Sequence, residues 1–238
     1  MIGVAIPAHD EEACLDACLA ALLRAARHPS LAGEPVTVCL VLDACADGSS
    51  SVAALHQRRF AAAGCTLELV EIDARQVGAA RAAGARRLLE RGARWLAFTD
   101  ADTCVSPQWL AAQLGLNVDA VCGLVTVDDW SPHCALAGRL REHFARHYQD
   151  RDGHRHIHGA NLGVSAAAYQ AAGGFAAVGC HEDVLLVRAL EQTGARIAWS
   201  AVPRVTTSAR LDARARGGFG DTLLAMTAGL DPSLPLAS

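Results

Sequence analysis

Lysine is missing from this 238-residue chain; all 21 basic residues are arginine. Alanine is abundant and supplies much of the 52% hydrophobic content, so the bias reads as genome composition rather than function. Basic charge is also in deficit, with a net charge of −4. A general nucleic-acid binder needs a basic face to neutralise phosphate, which excludes that class. No run reaches the ~18 apolar residues that a bilayer span requires. The opening MIGVAIPAHDEE enters a strand-like segment with no basic leader or cleavage site, and the expectation is a cytoplasmic protein with no transmembrane segment. No C-x-x-C pair occurs among the nine cysteines. They read as small buried hydrophobes in a reducing compartment rather than disulfides or metal ligands, although Cys14 and Cys18 lie one helical turn apart. No G-x-G-x-x-G follows the first apolar segment, which argues against a dinucleotide-dependent dehydrogenase.

What is present is alternation. IGVAIPA (2–8), PVTVCLVLDAC (35–45), TLELVEID (66–73) and RWLAFTD (94–100) read as strands. The second lacks polar alternation, as a strand buried on both faces should. Between them, residues 10–26, 48–64 and 76–92 read as helices, the first with acids in its opening turn and the second with serines at its cap and glycine at its end. Strand–helix repeats of ~30 residues make right-handed crossovers and a mostly parallel α/β sheet with helices on both faces. The second half is less regular. Helices are expected over 109–117, 135–150 and 180–194, strands over 120–129 and 195–205, and a loop, a strand-like piece and a short helix over 151–175. The length suits one domain, divided into halves at 1–104 and 105–230 with a loose tail at 231–238.

Ligands of open α/β sheets bind beyond the carboxyl ends of the strands. Asp43, Asp73, Asp100 and the segment from Pro7 to Glu11 all fall at such ends, so scattered acids become one candidate site. Asp100 and Asp102 bracket a single residue; on a strand their carboxylates would point the same way and share a hard divalent ion, Mg2+ or Mn2+. A solvated turn is the alternative. His154, His156 and His158 alternate as well, which invites a zinc reading, but alternate strand residues stand too far apart without a fourth converging donor, and a solvated loop suffices.

The ordered set VAIPAHDEE, LVLDACADGSS, QVGAARAAGA, FTDADT, GANLGV, GGF and HEDVLL resembles glycosyltransferase family 2 on the GT-A fold, from about residue 2 to 220. The resemblance implies a nucleotide-sugar half and an acceptor half. Pro7, Ala8, His9 and Glu11 would cup the nucleobase and ribose, Asp43 would accept from the base, and Asp47 with Gly48 would shape the adjoining turn. Arg75, Gly78 and Arg81 would lie along the nucleotide, although the asparagine often found after that arginine is Ala82 here. Asp100 and Ala101 would face the ribose, with Asp100 and Asp102 on a Mn2+ or Mg2+ that grips the donor diphosphate.

On the acceptor side the resemblance implies Asp183 as general base, supported by Glu182, and inversion at the anomeric carbon; helix capping is the non-catalytic alternative for that pair. Asn161 and His181 are expected beside the acceptor, with backbone bracing open for Asn161. The Gln-x-x-Arg-Trp motif of processive relatives is absent, which implies single transfer. Arg210, Arg214 or Arg216 would close over the diphosphate as bidentate donors, or form a solvated basic helix. No histidine follows His181, so no late histidine ligand is available. The donor implied is a UDP-sugar and the acceptor a small molecule, glycan or lipid-linked hydroxyl. Two other classes stand beside this: a degenerate nucleotide-sugar-binding protein, and a sugar-nucleotidyltransferase, which would need a glycine-rich basic loop where PAHDEEA stands.

Overall fold

Four strands and three helices alternate through the first hundred residues of the computed structural model, which describes residues 1–211. They are β1 (Ile2–Ala8), α1 (Glu12–Ala26), β2 (Val36–Asp43), α2 (Ser49–Ala62), β3 (Thr66–Ile72), α3 (Val77–Glu90) and β4 (Trp95–Phe98). There follow β5 (Thr103–Val105), α4 (Trp109–Gly115), β6 (Ala120–Thr126), α5 (Ala137–His147), β7 (Leu162–Ser165), α6 (Ala166–Ala171), α7 (Glu182–Gln192) and β8 (Ile197–Thr207). All eight strands join one sheet in the order β3-β2-β1-β4-β7-β6-β8-β5. The pairs β3/β2, β2/β1, β1/β4 and β6/β8 are parallel. β4/β7, β6/β7 and β5/β8 are antiparallel.

Every residue of β2 is buried, as its unbroken apolar run requires of a strand covered on both faces. One face packs on α1, α2 and α4 through Leu15, Leu19, Phe60 and Trp109. The other packs on α3 and α7 through Leu88, Phe98, Leu186 and Leu190. The alanine- and glycine-rich α3 lies unusually close to the sheet: a Cβ on Gly84 would stand 2.9 Å from Ala5 Cβ.

Three local departures from the pattern matter for the site. β4 stops at Phe98, so Asp100 and Asp102 sit on a turn rather than on a strand, and Thr103 N–H closes that turn on Asp100 O at 3.1 Å. The three residues of β5 carry too little periodicity to be read and exist through pairing with β8. The cap of α2 is Gly48 rather than a serine, with Asp47 Oδ1 accepting from Ser49 N–H and its Oδ2 from Glu12 N–H.

Candidate active site

β1 is flanked by β2 on one side and β4 on the other, so the chain leaves the sheet in opposite directions from its centre. Crevices form at such a reversal, beyond the carboxyl ends of the strands. A cavity of about 800 Å³ lies there. Pro7, Ala8, His9, Glu11, Asp43, Arg75, Arg81, Asp100, Ala101, Asp102, His181, Glu182, Asp183 and Arg210 all line it. Arg214, Arg216 and the tail lie outside the described residues.

Two arginines organise its acids. Arg81, 3% exposed, rises from α3. Its Nη2 donates to Asp100 Oδ1 at 2.5 Å, its Nε to Glu182 Oε1 at 3.0 Å and its Nη1 to Gly159 O at 2.7 Å. Each guanidinium nitrogen thereby donates once, which holds Arg81 against Asp100, Glu182 and Gly159 on the cavity lining. Gly159 must lack a side chain because a Cβ there would meet Arg81 Nη2 at 2.5 Å. Arg210 donates to both oxygens of Glu11 at 2.7 Å and reaches Asp102 Oδ2 at 3.2 Å. Burial opposes its charge, but the hydrogen bonds to Glu11 and the charge of Asp102 outweigh that and raise its pKa.

Asp102 is pushed up to about 6, first by burial and then by the charge of Asp100. Glu182 is raised as well, by burial foremost, with Arg81 pulling the other way. Asp183 sits beside it at the start of α7, its Oδ2 accepting from Gly159 N–H at 2.7 Å. The turn into α7 is made by His181 with φ of +61°, and Glu182 and Asp183, which follow it, line the cavity.

On the other flank, Asp43 spends its carboxylate on three backbone N–H groups: Ala74 and Arg75 on Oδ1, and Gln76 on Oδ2. It thereby fixes the segment that presents Arg75, whose side chain is exposed beside Asp73. His9 Nδ1 lies 2.6 Å from Asp43 O.

Several expectations require correction. Gly78 serves packing: its N–H donates to Val178 O, and a Cβ would stand 2.2 Å from Ala176 O. Asn161 is fully buried and braces backbone. Its Oδ1 accepts from Trp109 Nε1, and its Nδ2 donates to Leu124 O and Pro203 O, where the β6/β8 register shifts. The Asp100 and Asp102 carboxylates diverge toward different arginines instead of sharing a face. His154, His156 and His158 form neither a strand face nor a solvated loop; their rings stack beside Tyr148.

That ring stack joins residues from α5 and the segment after it. Phe144 and Tyr148, four apart at the end of α5, face one another with ring centres 4.6 Å apart, and Tyr148 lies 4.1 Å from His156. The i, i+4 aromatic pair followed by alternating histidines was the available signal.

Does this site suit a divalent ion? Six carboxylates (Glu11, Asp43, Asp100, Asp102, Glu182 and Asp183) face three guanidiniums there, and burial with the charge of Asp100 raises Asp102. Hard oxygen donors in excess of cations fit Mg2+ or Mn2+. Among the described residues, three metal-type donor atoms come within 4.8 Å of one another at Asp10, Cys45 and Asp47. Asp10 Oδ1 there already accepts from two backbone N–H groups, as a turn requires.

Solved structures share this fold at low identity. S. aureus TarS 1–349 is 12% identical with a TM-score of 0.63, over 87% of this chain and 60% of that one. A Pyrobaculum calidifontis mannosyltransferase in complex with GDP-Man and Mn2+ is 18% identical, TM-score 0.63, over 98% and 65%. GalNAc-T7 with UDP, GalNAc and Mn2+ is 14% identical, TM-score 0.66, over 89% and 44%. This chain thus spans less than two thirds of each of those three. No curated protein sequence matches it. No helix among the described residues is long and apolar enough to cross a membrane. The model of glycosyl transferase family 2 matches residues 3–170, more than half of the sequence, and the chain belongs to that family.

Proposed function

We propose that the chain transfers a sugar from a nucleoside-diphosphate sugar to an acceptor hydroxyl, with inversion, one residue at a time. The observation that carries this reading is Arg81, which ties Asp100 beyond β4 to Glu182 at the head of α7 across a single cavity. Donor-side and acceptor-side acids thereby stand in fixed relation.

Pro7, Ala8, His9 and the segment pinned by Asp43 form the wall for the nucleoside. A Mn2+ or Mg2+ held by Asp102, with Asp100 beside it, would neutralise the diphosphate and the charge that grows on it as it leaves. Asp183 takes the proton from the acceptor hydroxyl. That oxygen bonds to the anomeric carbon as the bond from that carbon to the diphosphate breaks, and the electron pair departs with the nucleoside diphosphate. Attack opposite the leaving group inverts the centre. UDP is the donor base we favour, on family usage and on the UDP complex of a neighbour.

A thermal-shift panel of UDP-, GDP- and CDP-sugars, each with and without Mn2+, tests the donor site. Ligand at 100 times its Kd stabilises by roughly 2.7 kcal/mol, and at least one metal-dependent shift is expected. Asp183→Asn is expected to keep that shift while transfer falls about 100-fold or more. A flat panel would remove the donor reading, and transfer undiminished in the variant would remove the assignment of the base.

A further inference from the structure

Away from the arginine-bound acids, the cavity lining also carries rings. Phe144, Tyr148, His156 and Ile157 line it, all half-buried. Tyr148 and His156 lie almost parallel, 5° between planes with centres 4.1 Å apart. The wall is also braced to the catalytic end. Tyr148 Oη accepts from Val125 N–H at 2.9 Å and lies 3.0 Å from His158 Nε2. The next residue, Gly159, gives its N–H to Asp183. Burial raises the Tyr148 hydroxyl to about 12, so it stays protonated near pH 7.

Among the described residues, cationic groups for an anionic acceptor are scarce on this side. The arginines on the described cavity lining are Arg75, Arg81 and Arg210. Arg81 and Arg210 are committed to carboxylates, and Arg75 lies beyond Asp43 on the nucleoside flank. Burial lowers His156, and burial with the neighbouring histidines lowers His158 to about 3, so both rings are neutral near pH 7. His147 and His181 remain, neither with the permanent charge of a guanidinium. Among the described residues, a phosphate or carboxylate here would meet Glu182 and Asp183, with Arg81 already held by Asp100 and Glu182 and Arg210 by Glu11.

We propose that this wall selects a neutral, ring-bearing acceptor, a glycoside laid against Phe144, Tyr148 and His156 with one hydroxyl toward Asp183, over a phosphorylated or carboxylated one. Rings that bury apolar C–H faces while leaving hydroxyls free suit a wall of aromatic surface with few polar groups. The inference rests on the transferase reading above, whose donor site is tested separately.

The test uses the full chain loaded with Mn2+ and whichever nucleotide gives a thermal shift. Binding of methyl glycosides of glucose, galactose, mannose and N-acetylglucosamine is compared by titration calorimetry with glucose 6-phosphate and phosphoglyceric acid. At least one neutral glycoside is expected to bind more tightly than either anion. Phe144→Ala and His156→Gln should each weaken it about three- to tenfold, the worth of one aromatic contact. His156→Gln keeps most of the volume and guards against a misfolded variant, which melting of the nucleotide complex would reveal. Tighter binding of an anion, no binding by any neutral glycoside, or affinity unchanged in both variants overturns the proposal. Each of these leaves the donor site standing as long as the nucleotide shift persists, whereas loss of that shift removes both.

Discussion

Arg210 and Glu11, 199 positions apart in sequence, form a two-point ion pair, each guanidinium Nη donating to a different carboxylate oxygen at 2.7 Å. Glu11 is 6% exposed, so removing that partner leaves a buried carboxylate without its cation. Arg210→Ala is expected to destabilise the protein by about 2–4 kcal/mol, because a buried charge is left uncompensated. Arg210→Lys should recover only part of that loss, a single ammonium being unable to reproduce the fork. Urea denaturation of the three proteins checks this. Equal stability of the alanine variant and the wild type would mean that Glu11 finds another partner.

Arg81 invites a sharper experiment because it serves three acceptors at once. Arg81→Met strands Asp100 and Glu182 together and should cost about 3–5 kcal/mol. Glu182→Gln placed in that background is expected to return part of the loss, since the group it neutralises is the more buried of the two, 6% exposed against 33%. A double-mutant cycle on urea midpoints measures the coupling. Strict additivity would contradict the network.

Much of this architecture is written locally. The strand–helix alternation, the buried run of β2 and the acids at strand ends are short-range signals, and apolar periodicity with caps is enough to find them. Which cation faces which acid is not local. Nothing near Asp102 in sequence announces Arg210, and nothing near Glu182 announces Arg81, 101 positions away. A shared face for Asp100 and Asp102 requires a strand that continues past Phe98, and it stops there. The histidines at 154, 156 and 158 suggested a strand or a wet loop because Tyr148, which orders them, precedes them by a turn that pattern reading carried on as helix to 150. Long-range pairing decided each of these points, and single-sequence periodicity has no access to it.

Asp102 sets a pH dependence with a definite sign. Burial and the charge of Asp100 push its carboxyl up to about 6 in the folded protein, from an ordinary value of 3.8. The native state therefore holds a proton through a window where the unfolded chain has lost it. Stability from this group is present below the window and is lost as pH rises from about 4 to 6, then stays flat. Between pH 7 and pH 5 the wild type should gain roughly 1–2 kcal/mol that Asp102→Asn does not. The difference between the two proteins in urea denaturation at several pH values isolates the residue from other titrating groups. A difference that stays constant with pH would place the Asp102 carboxyl at an ordinary value.

Asn161 separates bracing from acceptor contact. The β6/β8 ladder shifts register between Cys122 and Leu124. Carbonyls at such a break lose their strand partners and must find others. Asn161 supplies them: its amide N–H groups reach Leu124 O at 2.8 Å and Pro203 O at 2.9 Å, while its oxygen takes the indole N–H of Trp109 at 2.8 Å. Its fit to β6 is close, since a Cβ on Gly123 would stand 2.3 Å from Asn161 Nδ2. Asn161→Ala strands three buried polar groups and should cost about 3 kcal/mol or more, as each unsatisfied group carries its own desolvation penalty. Below the variant's melting transition, the acceptor KM is expected to stay close to the wild-type value, because no atom of the side chain is left for a ligand. A raised KM at unchanged stability would restore Asn161 to the acceptor site and refute its role as a brace.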